Sequence, residues 1–206
     1  MEKKQDYLKD IAEIRSMMER SSKFLSLSGW AGIMAGIYAL IGAYIAHTFL
    51  HFKPNEAISE IPVETTFDIQ KLIFLAITIL VISITTAIFL SFRRATKKSE
   101  PVWNTTSRRL LIHMSMPLGS GGILILFFLS SGQIGLLLPI SLIFYGLSLF
   151  DAANYTYSDL KYLGIIQTTL GLMSAFFIQY SLLFWAVGFG FMHIIYGLYI
   201  YLKYER

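Results

Sequence analysis

Six stretches of this sequence run for about twenty residues with hardly a charge in them, each as long as a bilayer's hydrocarbon layer is thick. They cover approximately 28–50, 70–92, 109–130, 134–154, 161–180 and 182–203. A helix rising about 1.5 Å per residue crosses a core of roughly 30 Å in that length. Backbone groups in lipid must be satisfied within their own segment, and the blocks do not alternate polar with apolar, so they read as helices and not as barrel strands. The charged share of 15% lies well below the figure of about a quarter usual for soluble domains. The expected fold is all-α: a polytopic bundle of six transmembrane helices over 28–203. A cytoplasmic amphipathic helix over 1–27 precedes it and a short tail over 204–206 follows.

The basic residues set the orientation. Lys3, Lys4, Lys9, Arg15, Arg20 and Lys23 precede the first span, and Arg93, Arg94, Lys97, Lys98, Arg108 and Arg109 fall between the second and third. Lys161, Lys203 and Arg206 join them, leaving two of the seventeen, Lys53 and Lys71, for the other side. The positive-inside rule then predicts both termini in the cytoplasm. Trp30, Trp185, Tyr199, Tyr201 and Tyr204 lie near span ends, as interfacial aromatic belts do. The one sizeable external loop, 51–69, is too short for a folded receptor domain. The charged N-terminus lacks an apolar signal-peptide core, so the first span is expected to remain as an anchor.

Tyr7, Ile11, Ile14, Met18 and Leu25 share a helical stripe in the front segment, with charges elsewhere. The stripe suits a helix lying on the inner membrane face better than a coiled coil, for which it is too short. In the first span, Gly29, Gly32, Gly36, Ala39 and Ala43 share one face, and Gly32 and Gly36 have the four-residue spacing that lets membrane helices approach closely. In a chain of six spans this predicts internal packing before dimerisation. "IFYGLSLF" (143–150) in the fourth span resembles "IIYGLYIY" (194–201) in the sixth, and Phe127–Phe128 and Phe176–Phe177 precede the two turns. These features suggest two hairpins repeated in the same orientation.

Polar groups within the spans are the candidate sites. His193 is ten residues from Lys203, about 15 Å deep. In the third span "HMSMPLGSGGIL" interrupts the apolar pattern at similar depth. An ionisable residue beside a Pro/Gly break is the sequence pointer to a midplane site, here His193, Ser115, Pro117, Gly119 and Ser120. The structural alternative is a kinked helix and a histidine bonded to a carbonyl or hydroxyl. A second group lies near the cytoplasmic face: Arg108, Arg109, His113, Asp151 and Asn154, with Arg109–Asp151 as the expected pair. There a tether or a lipid-headgroup contact is the simpler role.

Other chemistries are excluded or lack a ligand set. With no cysteine there is no thiolate, disulfide or Cys-based metal site. No HExxH, P-loop or dinucleotide fingerprint is present. His47 and His51 have a zinc-compatible spacing but no third ligand is suggested nearby. His113 and His193 lie at unequal depths, about 6 and 15 Å, which suits a bis-His haem poorly. Ser148 follows Gly146 and Leu147 but precedes Leu149, where a rhomboid-like protease needs glycine, and it falls near the cytoplasmic end of its span. No catalytic residue, cofactor or metal is therefore expected, and no nucleic-acid partner.

The strings "IRSMMERSSKFLSLSGWAGIMAGIYALIGAY" and "DLKYLGIIQTTLGLMSAFF…LLFWAVGFGFMHIIYGLYIYLKYE" resemble a group of small six-span membrane proteins of Bacteroidota, usually described as hypothetical. The resemblance spans both ends of the chain and implies a bacterial inner-membrane location, with no activity attached. Where such proteins are expected to carry an acidic residue after "YLGI", this chain has Gln167, which argues against a proton relay in the fifth span.

These features together predict a non-enzymatic, multi-pass inner-membrane protein that works by association. Its contacts would be anionic lipid headgroups at the cytoplasmic face, and a protein partner or a second copy of itself. The basic connection "RRATKKSEPVWNTTSRR" has the charge and the tryptophan for a headgroup surface. The alternative is a small-solute transporter or channel using the midplane site.

Overall fold

The computed structural model describes residues 28–54, 66–97 and 103–206. The expected front helix over 1–27, most of the 51–69 loop and part of the basic 93–109 connection lie outside these residues. The described residues form six helices: α1 (Gly29–Thr48), α2 (Thr66–Lys97), α3 (Thr105–Ser130), α4 (Leu137–Ala152), α5 (Leu160–Phe176) and α6. The last is continuous from Ser181 to Tyr204 in three parts, Ser181–Trp185 and His193–Tyr204 being α-helical and Ala186–Met192 a π-helical stretch between them. Short 3₁₀ turns, Ile134–Leu136 and Ile178–Tyr180, lead into α4 and α6.

Five of the six helices are long and apolar enough to cross a membrane. The exception is α5, whose 17 residues span about 25 Å before Phe177 leaves the helical conformation. It packs against both α4 and α6, and its buried face holds Leu163, Gly164, Gln167, Gly171 and Ser174. The helices follow one another through their contacts in the order α2, α1, α6, α5, α4, α3. The first and last spans in sequence are therefore neighbours.

Glycine makes these neighbours close. A side chain at Gly29 would strike the backbone of Gly197 and Tyr201, and one at Gly36 would strike Ile194 and the Gly190 carbonyl. The glycine face expected in the first span thus packs internally, on α6. Gly146 and Gly164 meet in the same way between α4 and α5. Dispersion and backbone approach hold membrane helices together where burial of apolar surface from water cannot. Ile79 of α2 packs over Gly42, and Phe144 of α4 over Gly121 of α3.

Polar ties close the end of the bundle at which α1 begins and α6 ends. The Glu205 carboxylate accepts from the Gly29 backbone N–H and pairs with Arg94, whose other nitrogen donates to the Tyr204 carbonyl at 3.1 Å. Three helix ends are joined on one carboxylate, which also sits where the N-terminal end of α1 favours negative charge. The α5 and α6 ends are joined by Lys203, which donates to Asp159 at 2.8 Å and to the Tyr199 hydroxyl at 2.6 Å.

Candidate functional site

The α-helical repeat opens where "AVGFGFM" forms the π-helical stretch, a wider turn that recurs at functional sites. Two of its glycines permit close approach: Gly188 faces Gln167 and Leu142, and Gly190 faces Leu40. The next residue is His193, buried at 6% exposure. Its Nδ1 lies 3.0 Å from the Gly188 carbonyl and its Nε2 lies 2.9 Å from the Tyr145 hydroxyl on α4. The Gln167 side chain on α5, wholly buried, donates through Nε2 to the same Gly188 carbonyl at 2.8 Å. Three helices and one carbonyl thus converge on a single imidazole.

The chemistry of the partners favours one tautomer. The Gly188 carbonyl can only accept, so in that tautomer Nδ1 carries the hydrogen and donates to Gly188, and Nε2 accepts from Tyr145. The reverse tautomer would leave the Tyr145 proton without this acceptor. Gln167 Nε2 lies 3.2 Å from His193 Nδ1, so both donors point at one oxygen. Turning the amide over would set two oxygens against each other, so its Oε1 faces away from the carbonyl. That Oε1 is buried and accepts no hydrogen bond among the described residues. Above the imidazole, Phe189 stacks at 5.7 Å and Tyr145 at 5.4 Å between ring centroids.

The third helix does not form the wall predicted for this site. Pro117 lies inside α3 without interrupting it. The serine hydroxyls are taken up locally, Ser115 donating to the Ile112 carbonyl at 2.7 Å and Ser120 to Met116 at 2.9 Å. Among the described residues, no neighbouring helix comes within 4 Å of where a side chain on Gly119 or Gly122 would stand. A hydroxyl in a helix satisfies itself on the preceding turn at no cost in packing, so a Ser- and Gly-rich break need not face a site. His193 finds its partners on α4, α5 and its own helix instead. Tyr145, Gln167 and Gly188 were not among the residues expected there, although Gln167 stands out in the sequence as an amide in an apolar span.

The second predicted group is partly assembled. His113 Nδ1 lies 3.2 Å from Asp151 and its Nε2 lies 2.7 Å from the Tyr155 hydroxyl, with the two rings stacked at 4.4 Å. The partner of Asp151 is thus His113 and not Arg109, because α3 turns the histidine toward α4 while Arg108 and Arg109 stand exposed. The Asn154 amide donates to the Asp151 backbone carbonyl at 3.1 Å. Among the described residues no three His, Asp or Glu side chains gather, and His47 is exposed.

Outside the spans, Asp159 has a lowered pKa. Burial alone would raise it, but hydrogen bonds from Lys203 and Tyr204 outweigh that effect. A carboxylate lowered on folding stabilises the fold above the ordinary carboxylate range, and that contribution is lost as pH falls through its folded value. Asp159→Asn should therefore lower the unfolding temperature across the neutral plateau and flatten the acid limb of a thermal-unfolding-versus-pH profile, the two profiles converging at low pH where the wild-type carboxylate is protonated. An unchanged acid limb would show that this tie contributes nothing.

Comparison with protein families, with characterised proteins and with solved structures finds no match for this chain.

Proposed function

We propose that the chain is a non-enzymatic, multi-pass protein of the bacterial inner membrane, with both termini in the cytoplasm, that moves a small solute through the α4–α5–α6 core. The observation that carries this reading is His193, an ionisable side chain far from either helix end. It is held by Tyr145, Gln167 and a π-helical carbonyl. Intramembrane ionisable groups are costly and mark pathways by default. The basic residues grouped at one end support the orientation, and the resemblance of both chain ends to small six-span proteins of Bacteroidota supports the location.

Association with headgroups or a partner is the second reading. It is favoured by Trp103, 72% exposed, beside the outward-facing Arg108 and Arg109 at the basic end.

The test is flux in proteoliposomes for protons, monovalent ions, ammonia, polyols and amino acids. His193→Leu keeps an apolar side chain of similar bulk and removes both nitrogens. It should lower the wild-type flux about a hundredfold, the loss of a buried polar centre of about 2–3 kcal/mol. Normal flux through folded His193→Leu, or no flux of any solute through the wild type, would overturn the transport reading.

A further inference from the structure

Two helix pairs in this bundle are the same structure twice. In the first, a side chain on Gly29 of α1 would stand 2.7 Å from the Tyr201 nitrogen and 3.1 Å from its Cα, and one on Gly197 of α6 would stand 2.7 Å from the Ile33 nitrogen. In the second, a side chain on Gly164 of α5 would stand 2.7 Å from the Phe150 nitrogen and 3.0 Å from its Cα, and one on Gly146 of α4 would stand 2.6 Å from the Thr168 nitrogen. Farther along, Gly36 meets Ile194 and Gly171 meets Ile143. The register is identical: Gly29, Ile33 and Gly36 correspond to Gly164, Thr168 and Gly171, while Ile194, Gly197 and Tyr201 correspond to Ile143, Gly146 and Phe150. The "YG" echo of the fourth and sixth spans is thus one half of a repeated unit. Its other halves, α5 and α1, lie far apart in the chain.

The copies differ where the site lies. Gln167 corresponds to Gly32, and His193 to Leu142. One copy closes its crossing with glycine where the other has the amide, and one has leucine where the other has the imidazole, so neither polar group is required for pairing. The two departures meet across the seam between α5 and α6. Of the two, the imidazole is fully engaged, while the amide keeps its buried Oε1 unpartnered among the described residues. A buried acceptor left without a donor costs stability, and native proteins keep few of them. Ser174, two turns from Gln167 on the same face, is also wholly buried with an unpartnered hydroxyl where α1 has Ala39.

The chemistry of a fitting occupant follows. Oε1 accepts, so the occupant donates. The ion pairs Asp159–Lys203 and Arg94–Glu205 lie at helix ends, and Asp151 stands in the last turn of α4, so a cation beside Gln167 would lack a counter-charge among the described residues. The site is tight, since a methyl on Gly188 would already stand 2.5 Å from Oε1 and 2.6 Å from Leu142 Cδ2. Resting on the transport reading above, we propose that Gln167 is the solute-contacting residue and that it takes, on Oε1, an uncharged O–H or N–H donor of a single heavy atom: water or ammonia.

The full-length protein in proteoliposomes tests this with two probes. Stopped-flow shrinkage in an impermeant osmolyte reads water, and the internal pH rise after adding ammonium chloride reads ammonia. The wild type should exceed empty liposomes with at least one probe. Gln167→Leu, which removes the acceptor without opening a hole, should lower that flux about tenfold, the effect of one lost hydrogen bond in a dry site. Gln167→Gly restores the residue of the sister crossing and should yield folded, monodisperse protein. If Gln167→Gly does not fold, the amide is a packing requirement and the proposal falls. Wild-type flux through Gln167→Leu while His193→Leu is inactive overturns the role of Gln167 and leaves the transport reading standing. No wild-type flux of either probe, with another solute carried, overturns the solute class alone.

Discussion

Gly197→Leu and Gly146→Leu should each abolish recovery of folded protein, while Gly119→Leu should be neutral. At Gly197 the nearest atoms to a new side chain are the Gly29 carbonyl and the Ile33 nitrogen, and at Gly146 they belong to Thr168 and the Gly164 carbonyl. Backbone atoms of a neighbouring helix cannot rotate aside as a side chain can. The helices must separate along the crossing, losing the close contact that holds them together in lipid. Overpacking costs typically about 1–3 kcal/mol where side chains can give, so a leucine against two backbones should exceed about 3 kcal/mol. A side chain on Gly119 would meet no neighbouring helix within 4 Å among the described residues, and its change should stay within about 0.5 kcal/mol. Size-exclusion profiles and thermal unfolding in detergent measure all three. A monodisperse Gly197→Leu protein unfolding at the wild-type temperature would contradict the crossing.

Glu205→Ala should be the most damaging change at the end where α1 begins. Its carboxylate serves the Gly29 N–H and Arg94 together, and the pair is mostly buried, at 10% and 11% side-chain exposure. Removing Glu205 takes one carboxylate from the guanidinium and leaves the first turn of α1 without its anion. Losing one partner of a buried pair costs about 3 kcal/mol or more, which for a chain of this size is a fall of about 10 °C in unfolding temperature. Arg94→Ala should cost a similar amount, and the double variant should cost less than the two together, because the pair is lost only once. Strictly additive losses would show that Glu205 and Arg94 act separately.

Sequence reasoning singled out His193 but chose the wrong neighbour for it. Pro117, Gly119 and Ser120 look like an opened helix because proline and glycine weaken helices in water. In α3 the serine hydroxyls close on the preceding turn, and the helix continues. Tyr145 was visible only as part of an echo, and Gln167 only as an isolated amide, because hydrogen-bond partners on different helices leave no mark on local periodicity. The Asp151 pairing shows the same limit: Arg109 and His113 are four residues apart on one helix, and the rotation of α3 decides which meets α4.

The sequence by itself determined the helical class, the approximate limits of five helices long and apolar enough to cross a membrane, and the glycine faces, while the expected span over 161–180 is a shorter helix. Those depend on hydropathy, bilayer thickness and residue volume, which are local quantities. Only the tertiary structure decided that α1 lies against α6, that this pair repeats the pairing of α5 with α4, and that His193 meets Gln167 and Tyr145. These are contacts between segments far apart in the chain, set by which glycine faces fit together, and no local pattern encodes that choice.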